Sequence, residues 1–302
     1  MALEVKIGAS PVAWLNDELP WLGGDTSVEA ILAEGGRIGY QGFELSPHFP
    51  REGAALLSLF ERHGLSLASG SWPGRLALRS VEEEERDLSG EACLLARCGA
   101  RVLVYRETCD SVEGEIDVPL FKRPRLRGEL AWRAYGEKLT DLAGRLLSRG
   151  LRLAYHPEAG AYVESPEDLD RLLESTGPEL GLVLDTGHVV LGGGDPVELA
   201  LRHASRICHV HLMDVRPSVL RHAHNRAYSF QRAVLAGVFT VPGDGGIDFG
   251  RVLAVLSQGD YRGWLVVEAE QDSAVAPSGA YALRGYRHVA ELLRSLGSRE
   301  VA

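Results

Sequence analysis

Acidic and imidazole side chains recur near the ends of short apolar segments in the second half of the chain. The clearest pairs are His156 with Glu158, Asp185 with His188, His209 with His211, and Glu268 with Glu270. Carboxylate oxygens and imidazole nitrogens together bind hard or borderline divalent ions, with Mn²⁺, Co²⁺, Mg²⁺ and Zn²⁺ as candidates. A single carboxylate often only caps a helix, but repetition on successive segments predicts one shared metal site.

The two histidines of the segment CHVHLMD (208–214) are two residues apart. On a strand they therefore point to the same side. His211 lies nearer the carboxyl end of the strand and is the better ligand, whereas His209 is expected one layer deeper, hydrogen-bonded in the core. Asp185 and Glu268 at matching strand ends favour a ligand role for His211.

Eight apolar segments must position these side chains, and each is rich in Val, Ile and Leu, as in strands covered on both faces. They are residues 5–10, 42–46, 65–70, 101–107, 151–156, 180–185, 206–212 and 264–270. Helical periodicity appears at 27–39, 54–64 and 165–176, and the acidic run 82–87 predicts the start of the third helix.

Strands that alternate with helices predict an α/β fold, a single (β/α)₈ TIM barrel domain over residues 1–302. A doubly wound open sheet is the alternative, but no GxGxxG follows a first strand. Residues 107–128 and 214–248 are long connections after the fourth and seventh strands. Such barrels build their active sites from loops at strand carboxyl ends.

The composition narrows the class of partner. The net charge is −10, which argues against nucleic acid, and no apolar run approaches the ~20 residues that span a bilayer. Four cysteines without a CxxC pair predict free thiols. We expect a cytoplasmic protein that acts on a small molecule, with homo-oligomerisation left open.

Several motifs resemble the inosose dehydratase family of the xylose isomerase-like barrels. They are LGLVLDTGH (180–188), HVHLMDVR (209–216), FTVPGDGGIDF (239–249) and WLVVEAEQD (264–272), with GASPVAWLNDELPWLGGDT (8–26), GFELSPHFPR (42–51), YRETCDSVEGEIDVPLFKRP (105–124) and AYHPEAGAYVESPEDLDRLL (154–173) in support. The resemblance covers nearly the whole chain.

The resemblance implies one divalent metal, typically Mn²⁺ or Co²⁺, with Mg²⁺ or Zn²⁺ as alternatives. Its ligands would be Glu158, Asp185, His211 and Glu268. The family usually carries a histidine-rich stretch after the fifth strand, whereas this chain reads YHPE there. His156 therefore competes with Glu158 as the fifth-strand ligand.

The implied reaction removes water from a keto-inositol or related keto-sugar through an enolate. The alternative is a sugar isomerase or epimerase that uses an enediolate with the same metal. Glu158 and Glu268 would act from opposite sides of the substrate, with His188 as proton donor or hydroxyl contact. The remaining candidate substrate contacts are Trp14, Asn16, Glu44, His48, Glu107, His156, Met213 and Arg216.

Three positions depart from the family pattern. A lysine is expected at Met213, a second lysine at His48 and an asparagine at Ser10. Loss of one preorganised donor in a dry site costs about 2.7–4 kcal/mol of transition-state stabilisation. Methionine cannot donate, so either another cation (Arg216 or Arg106) takes the role or the substrate differs.

Overall fold

The computed structural model describes residues 3–15, 26–297 and 299–300. The strands are β1 (Glu4–Ala9), β2 (Gly42–Leu45), β3 (Ser66–Gly74), β4 (Val102–Glu107), β5 (Arg152–Tyr155), β6 (Gly181–Asp185), β7 (Ile207–Leu212), β8 (Asp214–Val215), β9 (Phe239–Thr240), β10 (Arg262–Val267) and β11 (Arg299–Glu300). The α-helices are α1 (Val28–Ile38), α2 (Gly53–Arg62), α3 (Val81–Arg97), α4 (Glu129–Leu147), α5 (Pro166–Glu174), α6 (Thr186–Leu191), α7 (Pro196–His203), α8 (Pro217–Asn225), α9 (Phe230–Leu235), α10 (Phe249–Gln258) and α11 (Ser278–Ser295).

Eight parallel strands, β1 to β7 and β10, close into a barrel. Closure is made by β10, which pairs with β7 on one side and β1 on the other. The predicted (β/α)₈ barrel is confirmed, and each predicted strand overlaps one barrel strand. β11 adds a short parallel strand beside β1.

The helices begin where the sequence provides side-chain caps. Ser27 accepts the Ala30 amide at α1, and Ser80 and Ser165 each form a reciprocal capping box at α3 and α5. The acidic run 82–87 lies at the start of α3, as predicted, where carboxylates favour the positive end of the helix dipole. None of the helices in the described ranges combines the length and apolar character that a bilayer crossing requires.

Alternate strand residues face two different cores. In β4, Val102 and Val104 pack inside the barrel with Ala154 and Val183. Leu103 and Tyr105 belong instead to the large cluster between the strands and the helices. This period of two decides which residue at each strand end reaches the barrel mouth.

The long connection after β7 has structure of its own. β8 and β9 pair antiparallel, and α8 and α9 lie between them in the chain. A second apolar cluster forms beneath this extension and includes Met213, Phe230 and Phe239. The extension therefore packs against the barrel mouth as an ordered unit.

Candidate active site

Asp185, His211 and Glu268 meet at the carboxyl ends of β6, β7 and β10. One potential ligand atom from each lies within 4.8 Å of the others. His211 Nδ1 is 3.0 Å from Glu268 Oε2 and 3.3 Å from Asp185 Oδ2. The barrel thus brings together three side chains that are far apart in sequence.

The donor atoms in this cluster are the ones expected to face a cation. Glu158 Oε2 is buried without a hydrogen-bond partner among the described residues, whereas His211 Nδ1 and Glu268 Oε2 are buried and face each other at 3.0 Å. Leaving a buried polar atom without a partner is costly, and a metal ion is one partner that relieves this cost. The residues present therefore fit a divalent metal.

Glu44 orients His211 from the other side of the ring. Glu44 Oε1 lies 3.1 Å from His211 Nε2 and 2.9 Å from His209 Nε2, and it also accepts the Ser69 hydroxyl. With Nε2 held by a carboxylate, Nδ1 is directed at Asp185 and Glu268, an arrangement typical of metal-binding histidines. His209 is fully buried and hydrogen-bonded one layer below, so that prediction is confirmed.

His156 bridges two carboxylates. Its Nδ1 is 2.9 Å from Glu158 Oε1, and its Nε2 is 3.2 Å from Asp185 Oδ2. Burial alone would lower the pKa of His156, but these hydrogen bonds raise it. One ring nitrogen of His156 also lies within 4.8 Å of ligand atoms of Asp185 and His188, so His156 stays a candidate ligand beside Glu158.

Two positive neighbours hold Glu158 in its ionised form. Burial would raise its pKa, but Arg106, whose Nε lies 2.6 Å from Glu158 Oε1, and His156 lower it to about 2. Asp185 is likewise buried, yet His188 and the hydrogen bonds from His156 and His211 hold its pKa well below its ordinary value. Both carboxylates are therefore charged at neutral pH.

His188 is fixed at the wall of the site. Its backbone amide donates to Asp185 Oδ1 at 2.8 Å, and its Nδ1 accepts a hydrogen bond from the Ala159 amide at 3.1 Å. The ring stacks on Phe230 at 5.6 Å between centroids. Because Nδ1 accepts, Nε2 carries a proton, and this nitrogen lies 3.9 Å from Glu270 Oε1.

These side chains line a cavity of about 110 Å³ at the barrel mouth. Six predicted site residues are among its lining: Glu44, His156, Glu158, His188, His211 and Glu268. Asp185 is buried just beneath, bonded to His156. The sequence did not single out Glu113, Ser46 or Ser71, which also line the cavity. Period-two spacing from Glu44 could have indicated Ser46, whereas Glu113 lies in a long loop that offers no such signal.

Glu107 faces away from the cavity. It accepts the amides of Ala77 and Cys109 at 3.0 and 3.1 Å and the Tyr135 hydroxyl at 2.9 Å. Burial raises its pKa. Since Val104 points inward, the residue of matching parity is Arg106, and Arg106 does line the cavity. Glu107 therefore lies between β4 and the surrounding helices.

Trp14 and His48 also lie outside the cavity lining. Trp14 is buried against Phe43 and donates its Nε1–H to Glu34 Oε2 at 2.7 Å. His48 borders a separate surface depression beside α2. Asn16 lies outside the described residues. The substrate contacts predicted for these three residues stay predictions.

Met213 and Arg216 have structural partners. Met213 is fully buried in the apolar cluster beneath the β8–β9 extension. Arg216 donates to the carbonyls of Gly237 and Phe239 at 2.8 and 3.0 Å and to Asp244 Oδ2 at 2.8 Å. Of the two cations considered for the missing lysine, the structure brings Arg106 to the cavity and Arg216 to the extension.

Comparison with known proteins gives a consistent result. A family model described as xylose isomerase-like TIM barrel matches residues 32–296. The rhizopine catabolism protein MocC of Rhizobium meliloti is 48% identical over 297 residues, 98% of this chain and 91% of that protein. The inosose dehydratase of Geobacillus thermodenitrificans is 37% identical over 289 residues, 95% of this chain and 97% of the relative.

A solved structure of the IolI protein with a bound zinc atom superimposes with a TM-score of 0.71. The match covers 96% of this chain and 99% of that one at 14% identity, and at this identity it supports the fold alone. That one domain spans residues 1–302 stays a prediction.

Proposed function

We propose, since the chain belongs to the inosose dehydratase family of the xylose isomerase-like TIM barrels, that it removes water from a keto-inositol or a closely related keto-polyol. The observation that carries this proposal is the buried cluster of Asp185, His211 and Glu268 at the barrel mouth, with Glu158 Oε2 nearby and without a hydrogen-bond partner among the described residues. A cytoplasmic location is part of the proposal, and homo-oligomerisation stays a prediction.

Glu158, Asp185, His211 and Glu268 would hold a divalent metal, which we propose to be Mn²⁺ or Co²⁺. When bound, such an ion supplies Lewis-acid polarisation of a ketone oxygen. Glu158 is favoured as the fourth ligand because Oε1 is held by Arg106 and His156 while Oε2 stays without a hydrogen-bond partner in the described residues. Carboxylate and imidazole donors suit these ions.

The remaining chemistry is proton transfer. Elimination requires loss of the proton α to the ketone and departure of the β-hydroxyl with a proton, which releases one water and leaves an enol that tautomerises to a 1,2-dione. We assign removal of the α-proton to Glu268, because Glu158 Oε1 is already engaged by Arg106 and His156. His188 Nε2 then donates to the leaving hydroxyl.

The charge of the cavity supports a neutral substrate. Among the described residues, the lining has one arginine, Arg106, and five glutamates: Glu44, Glu113, Glu158, Glu268 and Glu270. Phosphate recognition normally uses clustered arginine or lysine donors. The lining therefore suits an uncharged polyol ketone better than a sugar phosphate.

The test uses 2-keto-myo-inositol with Mn²⁺- or Co²⁺-loaded protein and follows the absorbance of the dione. We expect wild-type turnover, and an Asp185→Ala variant should lose both bound metal and activity. If the variant keeps its metal and full activity, the assigned site is wrong. Solvent proton exchange on a ketose without dione formation would instead favour the isomerase or epimerase.

A further inference from the structure

The cavity contains many carboxylates and, among its described lining residues, one permanently charged cation. Five glutamates line it, and Arg106 is the single lysine or arginine beside them. An elimination that develops negative charge on a substrate oxygen is stabilised by a fixed positive group in a site that excludes water. Arg106 is the residue placed to supply that group.

The position of Arg106 follows from the parity of β4. Val104 and Arg106 both line the cavity, two residues apart on the inward face of the strand. The Arg106 side chain is 26% exposed, so a molecule in the cavity can reach it. Its Nε lies 2.6 Å from Glu158 Oε1, and one terminal nitrogen lies 3.4 Å from Glu113 Oε2.

Two loops fix these acidic partners relative to each other. The Val112 amide and the Ser111 hydroxyl both donate to the Gly160 carbonyl, at 3.0 and 3.3 Å. Gly160 has a φ of +90°, and a Cβ there would lie 3.0 Å from the Glu113 nitrogen. The loops after β4 and β5 are thus joined at a glycine, and the guanidinium lies between a glutamate from each.

We propose that Arg106 recognises substrate oxygens in this enzyme, in the role that the family pattern gives to a lysine and that Met213 cannot fill. The inference rests on the proposed function and adds a specificity determinant to it. Met213 is fully buried in an apolar cluster and offers no donor. Arg106 reaches the cavity from β4, whereas the lysine of the family pattern would follow β7.

Recognition by an arginine in place of a lysine would affect which substrate binds. A guanidinium presents several N–H donors in one rigid plane, whereas an ammonium is a compact point charge on a flexible stem. The guanidinium also pairs with Glu158 and Glu113, so we expect it to contact one or two substrate oxygens on the side of the ring facing β4 while it keeps these carboxylates as neighbours.

The test measures equilibrium binding of myo-inositol and its single-deoxy analogues to Mn²⁺-loaded protein by titration calorimetry. The variants are Arg106→Met and Arg106→Lys. Loss of a charge-assisted contact should weaken myo-inositol binding roughly 10- to 100-fold in Arg106→Met. One or two of the deoxy analogues should bind the wild type more weakly than myo-inositol does, by a similar factor. The same analogues should bind Arg106→Met as well as myo-inositol does. Arg106→Lys should restore only part of the affinity.

Arg216→Met is the matched control. Arg216 has nearly the same side-chain exposure, 27%, and also pairs with an aspartate, but it does not line the cavity. This variant should lower the melting temperature without changing the pattern of deoxy losses. Because Arg106 also contacts Glu158, bound Mn²⁺ is measured for every variant, and affinities are compared between samples loaded to the same metal content.

The outcomes separate this inference from the proposed function. Selective deoxy losses that vanish in Arg106→Met support the inference, even if no dione forms. When dione forms, deoxy losses that persist in Arg106→Met, or that vanish equally in Arg216→Met, overturn the inference alone. A metal-loaded wild type that forms dione but binds no myo-inositol also overturns the inference alone, and one that neither binds myo-inositol nor forms dione overturns both.

Discussion

The side chain of Met213 lies completely buried where the chain passes from β7 to β8. It packs with Phe230 and Phe239 in one apolar cluster, and a Cβ on Gly187 would come within 2.7 Å of its terminal methyl. Glycine at 187 is thus required by the close approach of this methionine. Met213 thus belongs to a packed apolar cluster. The difference from the family pattern at this position is therefore not one changed side chain in a polar site.

Restoring the family lysine at this position should be destabilising. Met213→Lys would place a charge in an apolar cluster, and we expect the free energy of unfolding to fall by about 3 kcal/mol or more. Met213→Leu, which nearly conserves volume, should cost less than about 1.5 kcal/mol. Urea unfolding measures both, and a lysine variant as stable as wild type would contradict this placement.

At the scale of elements, Asp214 organises the extension after β7. Its carboxylate accepts the amides of Val215, Gly243, Gly245 and Ile247 at 2.8, 3.1, 2.9 and 2.9 Å. The PGDG motif is therefore a turn that wraps one buried carboxylate. β9 directly precedes this turn, and its Phe239 contacts the His188 ring at 5.6 Å between centroids.

Neutralising this carboxylate should loosen the extension. In Asp214→Asn, an NH₂ group would face backbone amides that can only donate, so we expect about 2–4 kcal/mol of destabilisation. Amide hydrogen exchange of residues 239–247 should accelerate. Asp117→Asn is the control. Asp117 is exposed, its side chain pairs with Arg232 at the surface, and its replacement should change stability by less than about 0.5 kcal/mol. Equal losses in the two variants would refute the role of Asp214.

At the scale of the whole molecule, the proposed metal site joins strands on one side of the barrel. Asp185, His211 and Glu268 come from β6, β7 and from just beyond β10, and Glu158 follows β5. These ligands converge only when the barrel is closed. Metal binding and folding are therefore expected to be linked.

Mn²⁺ should raise the melting temperature of the protein. At 100 times its dissociation constant, a ligand that binds only the folded state adds about 2.7 kcal/mol to stability. Scanning calorimetry with Mn²⁺ and with a chelator measures the difference. Asp185→Asn should abolish most of the increment, and an unchanged increment in that variant would contradict the ligand assignment.

The sequence determined the barrel and most of its chemistry, because strand and helix periodicity and the polar residues at strand ends are local signals. His209, His211, Asp185 and Glu268 could be placed from these signals, and the fold and the cluster of Asp185, His211 and Glu268 are found as expected. The predicted ligand and substrate roles of the site residues await the experiments described above.

Only the tertiary structure decided which face each polar residue occupies. Glu107 and Arg106 are adjacent, and the inward parity of β4, set by pairing with β3 and β5, brings Arg106 to the cavity and sends Glu107 to the helices. Glu113, Arg216 and Met213 depend on how two long loops pack, which no local pattern encodes. Long-range packing therefore fixed the charge of a site whose proposed metal ligands were already apparent in the sequence.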